Sequence, residues 1–392
     1  MQASNKGRRR GGVRWWQVGL LALAMGSASA ADLAAQPPVP LVAVGRHGIA
    51  YDFGHQPTVT SSAAGDSRLV FVAEPLGQAV AVLERYTGQQ LGTLPAPPAG
   101  WLLPFSLRVP REGHVVVLDS GGFPSPTVPS IARVYDYDVQ YDERSHQLTA
   151  TLTRTVSFEG LPLVFAEDVE VTSSGLYVVS ESIIGALWVI GLDGTISYGA
   201  FPVTGVPIPA LAPCEFLPTT VGGIPFATAG NFGPGVVGLA ERGGQLYFST
   251  TCNGGVSRIP MASLTDATRD PQARAADIVP VSPRAAGVAA ETLHGLAFNP
   301  AKPGEHWLYA VDSLQLRVVR INTDNGSRQV VVGPDPVLFN FPSKLQFLPP
   351  VGGRSPLLVA SDQEHRLPSI NAAITEDLTQ PPWLVTRIHL FP

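Results

Sequence analysis

The sequence has little of what a helical or multiply crosslinked protein would need. Of its 392 residues only two are cysteine and three methionine, and charged side chains make up 15%. After residue 35, no long stretch repeats apolar residues at the i, i+3, i+4 and i+7 spacing of an amphipathic helix. By contrast, 40 glycines and 37 prolines favour many strands joined by tight turns. The core should therefore be built from strands.

The N-terminus has the pattern of a secretory signal peptide. Basic residues from Lys6 to Arg14 precede a short apolar run, Trp15 to Met25, and Ala28-Ser29-Ala30 supplies the small residues of a cleavage site. We predict a signal peptide over residues 1–30, a proline-rich leader over 31–40 and a folded domain over 41–392. The protein is then exported, to the periplasm or the extracellular space. An uncleaved membrane anchor is the alternative.

The charge balance excludes two classes of partner. Removing residues 1–30 removes five positive charges and no negative ones, which leaves 21 basic and 31 acidic side chains. A net charge of −10 argues against nucleic acid, and against a membrane surface once the signal is cleaved. We expect a small-molecule substrate or ligand instead.

A repeated strand is the strongest pattern in the chain. Each copy is short, rich in β-branched and aromatic residues, and preceded in most cases by a turn of Gly, Asp or Ser. Five of the six copies end on a carboxylate. The six copies are Leu69–Glu74, His114–Asp119, Leu176–Glu181, Leu246–Thr251, Trp307–Asp312 and Leu357–Asp362.

The spacing of these copies predicts the fold. Their last residues stand 45 to 70 positions apart, and a unit of roughly 40–50 residues is the size of one four-stranded propeller blade. We predict an all-β, six-bladed β-propeller with four-stranded antiparallel blades around a central channel. Residues 41–52 are expected to close the ring by completing the last blade. The long connection 202–231 is expected to lie over one mouth of the ring, as a lid or a filler.

Two side chains stand out where the inner strands begin. In a propeller the starts of the inner strands meet at one mouth of the channel, and small-molecule sites favour such concave mouths. At that register Glu167, beside Asp168, and His294 are polar among apolar neighbours. They are candidate ligands of a divalent metal: oxygen ligands suit calcium or magnesium, and imidazole also suits zinc or manganese. The alternative is a pair of hydrogen-bonded channel residues without a metal.

Other polar residues carry weaker predictions. The acids that end the repeated strands are expected to accept backbone N–H groups of the turns that follow. Ser343 beside Lys344 is a possible nucleophile and cation pair. Cys214 and Cys252 are a candidate disulfide because both are expected at the same face of an exported propeller; two unpaired thiols are the alternative.

Two segments resemble the SMP-30/gluconolactonase family of six-bladed propellers. Leu293 to Ser313 is similar to a family segment whose Asn binds a divalent metal, and His294 matches that Asn position. Ala166 to Val171 is similar to a segment whose Glu is a metal ligand, and Glu167 matches it. The chain departs from the family in the His, and in lacking a Pro-Asp-Gly segment to supply the catalytic Asp. NHL-type and strictosidine-synthase-like propellers share the architecture.

The resemblance implies a metal-dependent hydrolase of lactones or related small esters. Glu167 and His294 would hold the metal, with calcium favoured over zinc, magnesium or manganese. Asp168 or Asp362 would be a further ligand or the general base. The competing hypothesis is a non-catalytic propeller that binds a small ligand or a protein at the same mouth, because fold alone does not decide function.

Overall fold

The fold is described here from a computed structural model. It describes residues 61–123, 130–201, 219–227, 235–251, 255–283, 291–380 and 383–390, together with the backbone of 42–44 and 48–52. The signal peptide, the leader and both cysteines lie outside these ranges, so their assignments stay predictions.

The described strands form six main sheets and one separate hairpin. The N-terminal pair is β1 (Val42–Val44) and β2 (Gly48–Asp52). The first blade comprises β3 (Ser62–Gly65), β4 (Leu69–Glu74), β5 (Ala79–Glu84) and β6 (Gln90–Thr93). The second comprises β7 (Pro104–Arg111), β8 (His114–Asp119), β9 (Arg133–Asp142) and β10 (Gln147–Ser157). The third comprises β11 (Ala166–Val171), β12 (Tyr177–Glu181), β13 (Ala186–Ile190) and β14 (Ile196–Ala200).

The hairpin, β15 (Thr219–Val221) and β16 (Ile224–Phe226), precedes the remaining blades. The fourth comprises β17 (Val236–Arg242), β18 (Gln245–Thr250), β19 (Val256–Pro260) and β20 (Val279–Ser282). The fifth comprises β21 (Leu293–Phe298), β22 (Trp307–Asp312), β23 (Arg317–Asn322) and β24 (Arg328–Val332). The sixth begins with β25 (Pro342–Phe347), β26 (Leu357–Ser361) and β27 (Leu384–Ile388).

The sheets are arranged as a closed ring, so the predicted six-bladed propeller is confirmed. Within each blade the strands pair antiparallel in chain order. The first strand of each blade contacts the first strands of the blades before and after it, and β25 contacts β3. These six inner strands therefore surround a central channel. Blade 6 lies across that channel from blade 3.

The alternating repeat strands are buried on both faces because each lies between two neighbouring blades. In β4, Val70 and Val72 pack with Leu358 of blade 6. Phe71, one position along, packs with Leu107 of blade 2. A period-2 strand with bulky residues on both faces is what such a position requires.

The ring is closed by the N-terminal strand. β2 pairs antiparallel with β27, from Gly48 opposite Ile388 to Asp52 opposite Leu384, and β1 adds a fifth strand outside it. The predicted closure by residues 41–52 is confirmed, although the segment forms two strands rather than one.

Helix is confined to short segments in the described chain. They are α1 (Met261–Leu264) and α2 (Pro271–Ala275), between β19 and β20, and a 3-10 turn at Glu364–Arg366. No helix among the described residues is long and apolar enough to cross a membrane.

Candidate functional site

A β-bulge recurs at the same place in five of the six inner strands. In each, the pairing with the second strand skips one residue near the start of the inner strand, or two in blade 5. A bulge re-aims the side chain that it leaves unpaired and is frequent beside functional sites. The skipped positions include Phe105, Glu167, Val237, His294 and Ser343. Three of them, Glu167, His294 and Ser343, are candidate site residues from the sequence.

Two glycines allow the inner strands of blades 4, 5 and 6 to approach closely. A Cβ at Gly238 would lie 1.7 Å from the carbonyl oxygen of His294, and one at Gly295 would lie 2.5 Å from the backbone nitrogen of Leu345. No other residue type fits at such distances. The glycines therefore place the strand that carries His294 directly against its neighbours.

Lys344 crosses the channel mouth. Its side chain extends from blade 6, is 2% exposed, and places Nζ 3.3 Å from Oε1 of Glu167 in blade 3. The same ammonium donates to the carbonyl oxygen of Val237 in blade 4 at 2.9 Å. A charge this deeply buried must be paired and hydrogen-bonded to be tolerated. Glu167 keeps 12% of its side chain exposed, so one face of the pair remains accessible.

His294 is a neutral, oriented imidazole. Burial, with a further contribution from the Lys344 charge, lowers the pKa of His294 to about 3. The Ser313 hydroxyl donates its one proton to the carbonyl oxygen of Pro342 at 2.5 Å. It lies 3.0 Å from Nδ1 of His294 and so accepts a proton from that nitrogen. The ring consequently carries its proton on Nδ1 and its lone pair on Nε2.

Asp362 and Glu364 form a coupled carboxyl pair beside Lys344. Oδ1 of Asp362 accepts the backbone N–H of Glu364 at 3.1 Å, whereas its buried Oδ2 accepts no hydrogen bond from the described residues. Burial raises the pKa of Asp362 to about 7. Burial, followed by the charges of Asp362 and Glu167, raises the pKa of Glu364 well above its usual range. Like charges this close disfavour double ionisation, so the charge of either carboxyl favours the protonated form of the other.

Asp168 has a different environment from Glu167. It is fully buried and accepts hydrogen bonds from Ser106 Oγ at 2.5 Å, from Arg108 at 3.0 Å and from the backbone of Leu239 at 3.0 Å. Arg108 also donates Nε to Glu170 at 2.8 Å. Burial alone would raise the pKa of Asp168, but Arg108 and then Lys344 offset it, so the pKa lies below its usual value. Its oxygens are engaged, which suits a structural role better than the predicted catalytic one.

The predicted capping role of the strand-ending acids holds where the contacts are described. Asp119 accepts the backbone N–H groups of Leu102, Leu103 and Gly121, each at 2.8 Å. Glu181 accepts four backbone N–H groups in the same way.

The pattern does not extend to every copy. Asp312 adds an ion pair with Arg317 at 2.9 Å. Burial raises the pKa of Glu74 to about 7, and no hydrogen bond from the described residues offsets it. Burial raises the pKa of Glu181 to about 7 as well, although four backbone N–H groups oppose the shift there.

The hairpin β15–β16 lies at this mouth, as predicted for the connection that contains it. Val221 and Phe226 pack with Leu314, Phe339 and Phe341, which follow β22 and precede β25 at the mouth end of blades 5 and 6. Asn371 fastens the hairpin further through hydrogen bonds to the backbone of residues 225 and 227, at 2.8 and 3.1 Å. The described part of the connection therefore acts as an apolar filler over one side of the mouth.

The side chains around Glu167 and His294 do not fit the predicted divalent metal. Lys344 already supplies the positive charge beside Glu167, and a metal ion there would face the ammonium. Among the described residues, no group of three His, Cys, Asp or Glu side chains is arranged to hold an ion. The hydrogen-bonded alternative describes both residues better.

Two features of the site have no strong signal in the sequence. Lys344 lies in an inner strand that also contains the polar residues Ser343 and Gln346, so its charge alone does not mark it as a site residue. Glu364 and His365 follow Asp362 in a 3-10 turn and carried no recognisable motif. His365 is fully buried, stacks on Phe341 with ring centroids 5.5 Å apart, and is neutral because burial lowers its pKa to about 3.

The comparisons with known proteins show a shared fold. No protein-family profile matches the chain, and no curated protein matches it. The allergen Mala s 1 of Malassezia sympodialis superposes with a TM-score of 0.57 at 10% identity, over 86% of this chain and 95% of that one. A luciferin-regenerating enzyme superposes at 0.52 and 12%, over 87% and 94%. At these identities the likeness is one of architecture.

A gluconolactonase of Xanthomonas campestris is also among the neighbours. Its TM-score is 0.49 at 14% identity, over 91% of this chain and 98% of that one. The resemblance predicted from the two motifs is confirmed for the six-bladed propeller fold alone, which the two superpositions above also show. Function must be argued from the site itself.

Proposed function

We propose that this protein is a propeller hydrolase acting on a lactone or a related small ester at the channel mouth. The observation that carries the proposal is the grouping of a buried ammonium, Lys344, with three carboxyls whose pKa values burial raises. Glu167 contacts the ammonium, and the charge of Lys344 acts on Asp362 and Glu364 as well. Carboxyls with perturbed pKa values beside a specific charge partner are candidates for acid–base catalysis.

The residues divide into three roles in this mechanism. Asp362, with a pKa of about 7, takes a proton from water as the water oxygen attacks the ester carbonyl carbon. The Lys344 ammonium stabilises the negative charge that develops on the carbonyl oxygen. Glu364, whose raised pKa favours its protonated form, gives its proton to the alkoxide oxygen when the ring C–O bond breaks. The product is the open hydroxy acid.

In this proposal Lys344 takes the electrostatic role that a metal would fill, so we do not route a step through a metal. The contacts of Lys344 support this arrangement: it reaches Glu167 across the ring and also lowers the pKa of His294. Metal dependence, with calcium favoured over zinc, magnesium or manganese, is the alternative that the same assay tests.

The test is hydrolysis of a panel of γ- and δ-lactones and short aryl esters by the purified full chain. Wild type should turn over at least one of them, with and without a chelator. Asp362→Asn and Lys344→Met should lower kcat/KM by at least about 10²-fold, the scale of losing one acid–base or oxyanion group. Glu143→Gln, an exposed carboxylate remote from the mouth, is the matched control and should be unchanged.

Two outcomes would overturn the proposal. Absence of turnover by wild type across the panel favours the non-catalytic alternative, in which the same mouth binds a ligand or protein. Turnover abolished by the chelator and restored by calcium or zinc would instead establish the metal-dependent form, and Lys344 would lose its proposed role.

Export is part of the proposal and has a separate test. The basic, apolar and small-residue segments of residues 1–30 support it. Cell fractionation with N-terminal sequencing should find the protein outside the cytoplasm and beginning at Ala31. A cytoplasmic protein that begins at Met1 would contradict it.

A further inference from the structure

A groove lies between blades 5 and 6 at the end of the ring opposite the candidate site. It has a volume of about 520 Å³, within the range of small-molecule pockets. Its walls include the turn after β21 and the turn between β25 and β26. These turns lie at the far ends of the inner strands from the bulges, so the groove is separate from the mouth.

The ionisable groups lining this groove are cationic or neutral. Lys302, Arg320, Arg354 and His389 line it, and among the described residues no Asp or Glu side chain does. This contrasts with a chain of net charge −5. A local excess of positive charge on an acidic protein provides charge complementarity for an anion.

The two arginines are held where an anion could reach them. Arg320 lies over the Trp307 ring at 4.3 Å and donates to the neutral amide oxygen of Gln329, so neither contact cancels its charge. The exposed Arg354 side chain makes no hydrogen bond or ion pair with the described residues. Lys302 is partly compensated, since its Nζ lies 3.8 Å from Glu305.

The pKa of His389 reflects the positive charges around the groove. Its pKa is lowered by burial and then by the charges of Arg387, Arg354 and Arg85. The environment of this ring is therefore short of negative charge.

Apart from Asn299, Tyr309 and Ser355, the rest of the described lining is apolar. Val330, Val331 and Val332 from the outer strand of blade 5 face Ile388 and Leu390 from the end of blade 6. Val330 is 52% exposed, so its side chain is accessible to a ligand in the groove. A ligand that satisfies both halves of the lining needs an acid group and a hydrocarbon or aryl body.

We propose that this groove is a second binding site, for an amphipathic organic anion. The acid group is held by Arg354 and Arg320, and the apolar body lies along Val330 and Val332. The site is independent of the proposed hydrolase activity, because the two lie at opposite ends of the ring.

The test is calorimetric titration of the full chain with 4-phenylbutyrate and with 4-phenylbutanol, its uncharged analogue. Phenylbutyrate should bind, more weakly as salt is raised, and phenylbutanol should bind at least tenfold more weakly. Arg354→Glu should weaken phenylbutyrate binding at least tenfold. Arg111→Glu, at a side chain 67% exposed on blade 2, is the matched control and should bind as wild type does.

Three results would overturn the proposal: no binding of the acid, equal binding of acid and alcohol, or an unchanged affinity in Arg354→Glu. A variant at the mouth, Lys344→Met, separates the two sites. It should leave phenylbutyrate affinity unchanged. A weaker affinity in this variant would indicate that the anion binds at the mouth instead of in the groove.

An NMR titration supplies a readout at the groove itself. The imidazole signal of His389, assigned by its disappearance in His389→Gln, should shift to a higher pKa when phenylbutyrate saturates the protein, because a bound anion offsets the arginine charges. A pKa of His389 that is the same with and without the acid would contradict binding in this groove.

Discussion

Glu167 and Asp168 are adjacent in sequence, yet the propeller gives them opposite environments. Asp168 turns to Arg108 of blade 2 and is saturated by buried donors. Glu167 turns to Lys344 of blade 6, retains exposure, and shares its surroundings with two carboxyls of raised pKa. The bulge between Ala166 and Asp168 sends the two side chains in different directions. The Asp168–Arg108 pair, whose carboxylate oxygens are all hydrogen-bonded, stabilises the ring. The Glu167–Lys344 pair keeps one accessible face and is available for chemistry.

The largest effect on stability is expected from removing Arg108, the cation that pairs with the buried Asp168. Arg108→Met leaves Asp168 buried without its cation, and removing one partner of a buried pair costs about 3–5 kcal/mol. Urea unfolding should show this as a lowered midpoint. Arg111→Met, at the exposed end of the same strand, is the control and should change stability by less than about 0.5 kcal/mol. Equal midpoints for the two variants would show that the Arg108 cluster does not hold the ring.

The two carboxyls beside Lys344, Asp362 and Glu364, should determine the pH dependence of the reaction. Because Asp362 acts as a base, kcat/KM should rise with pH up to about 7, the raised pKa of this carboxyl. It should fall at higher pH as Glu364 loses the proton that its raised pKa retains. His294, with its pKa lowered to about 3, stays neutral over this pH range and adds no inflection to the pH profile of kcat/KM.

Asp362→Asn should remove the acidic limb from whatever activity remains. A wild-type profile that is flat between pH 5 and 8 would contradict the assignment of Asp362 as the base.

The smallest expected effects are on stability, and they distinguish two acids that end the repeated strands, Asp119 and Glu74. Asp119→Ala deprives three backbone N–H groups of their acceptor and should cost about 1–3 kcal/mol. Glu74→Gln should change the free energy of unfolding by less than about 0.5 kcal/mol at neutral pH, because burial already favours the uncharged carboxyl. Thermal unfolding of the two variants measures the difference; losses of equal size would mean that Glu74 is also a cap.

The fold was predictable from sequence to the extent that its signals are local. The six repeated strands carry a period-2 pattern, and comparing the repeats with one another identified equivalent positions at the starts of the inner strands. The bulges at those positions were not predicted. His294 and Glu167 stood out there because their neighbours are apolar.

The contact partners of these residues were not predictable, because they come from other blades and are brought together only when the ring closes. Lys344 is 177 residues from Glu167 along the chain and meets it only because blades 3 and 6 face each other. Arg108 comes from blade 2 to reach Asp168, so no local pattern distinguished the structural acid from the accessible one.

The difference between the two adjacent acids is tested most directly by measuring Glu167→Gln and Asp168→Asn side by side, for lactone hydrolysis and for the free energy of unfolding. Glu167→Gln removes the carboxylate that positions the Lys344 ammonium, so it should lower kcat/KM by up to about 10²-fold, the loss expected for removing Lys344 itself. Its loss of stability should be the smaller one, because the Gln amide oxygen can still accept a hydrogen bond from Nζ. Asp168→Asn should show the larger loss of stability, with hydrolysis by the folded fraction largely kept. The opposite result, in which Asp168→Asn abolishes hydrolysis in a stable protein and Glu167→Gln does not, would contradict the account.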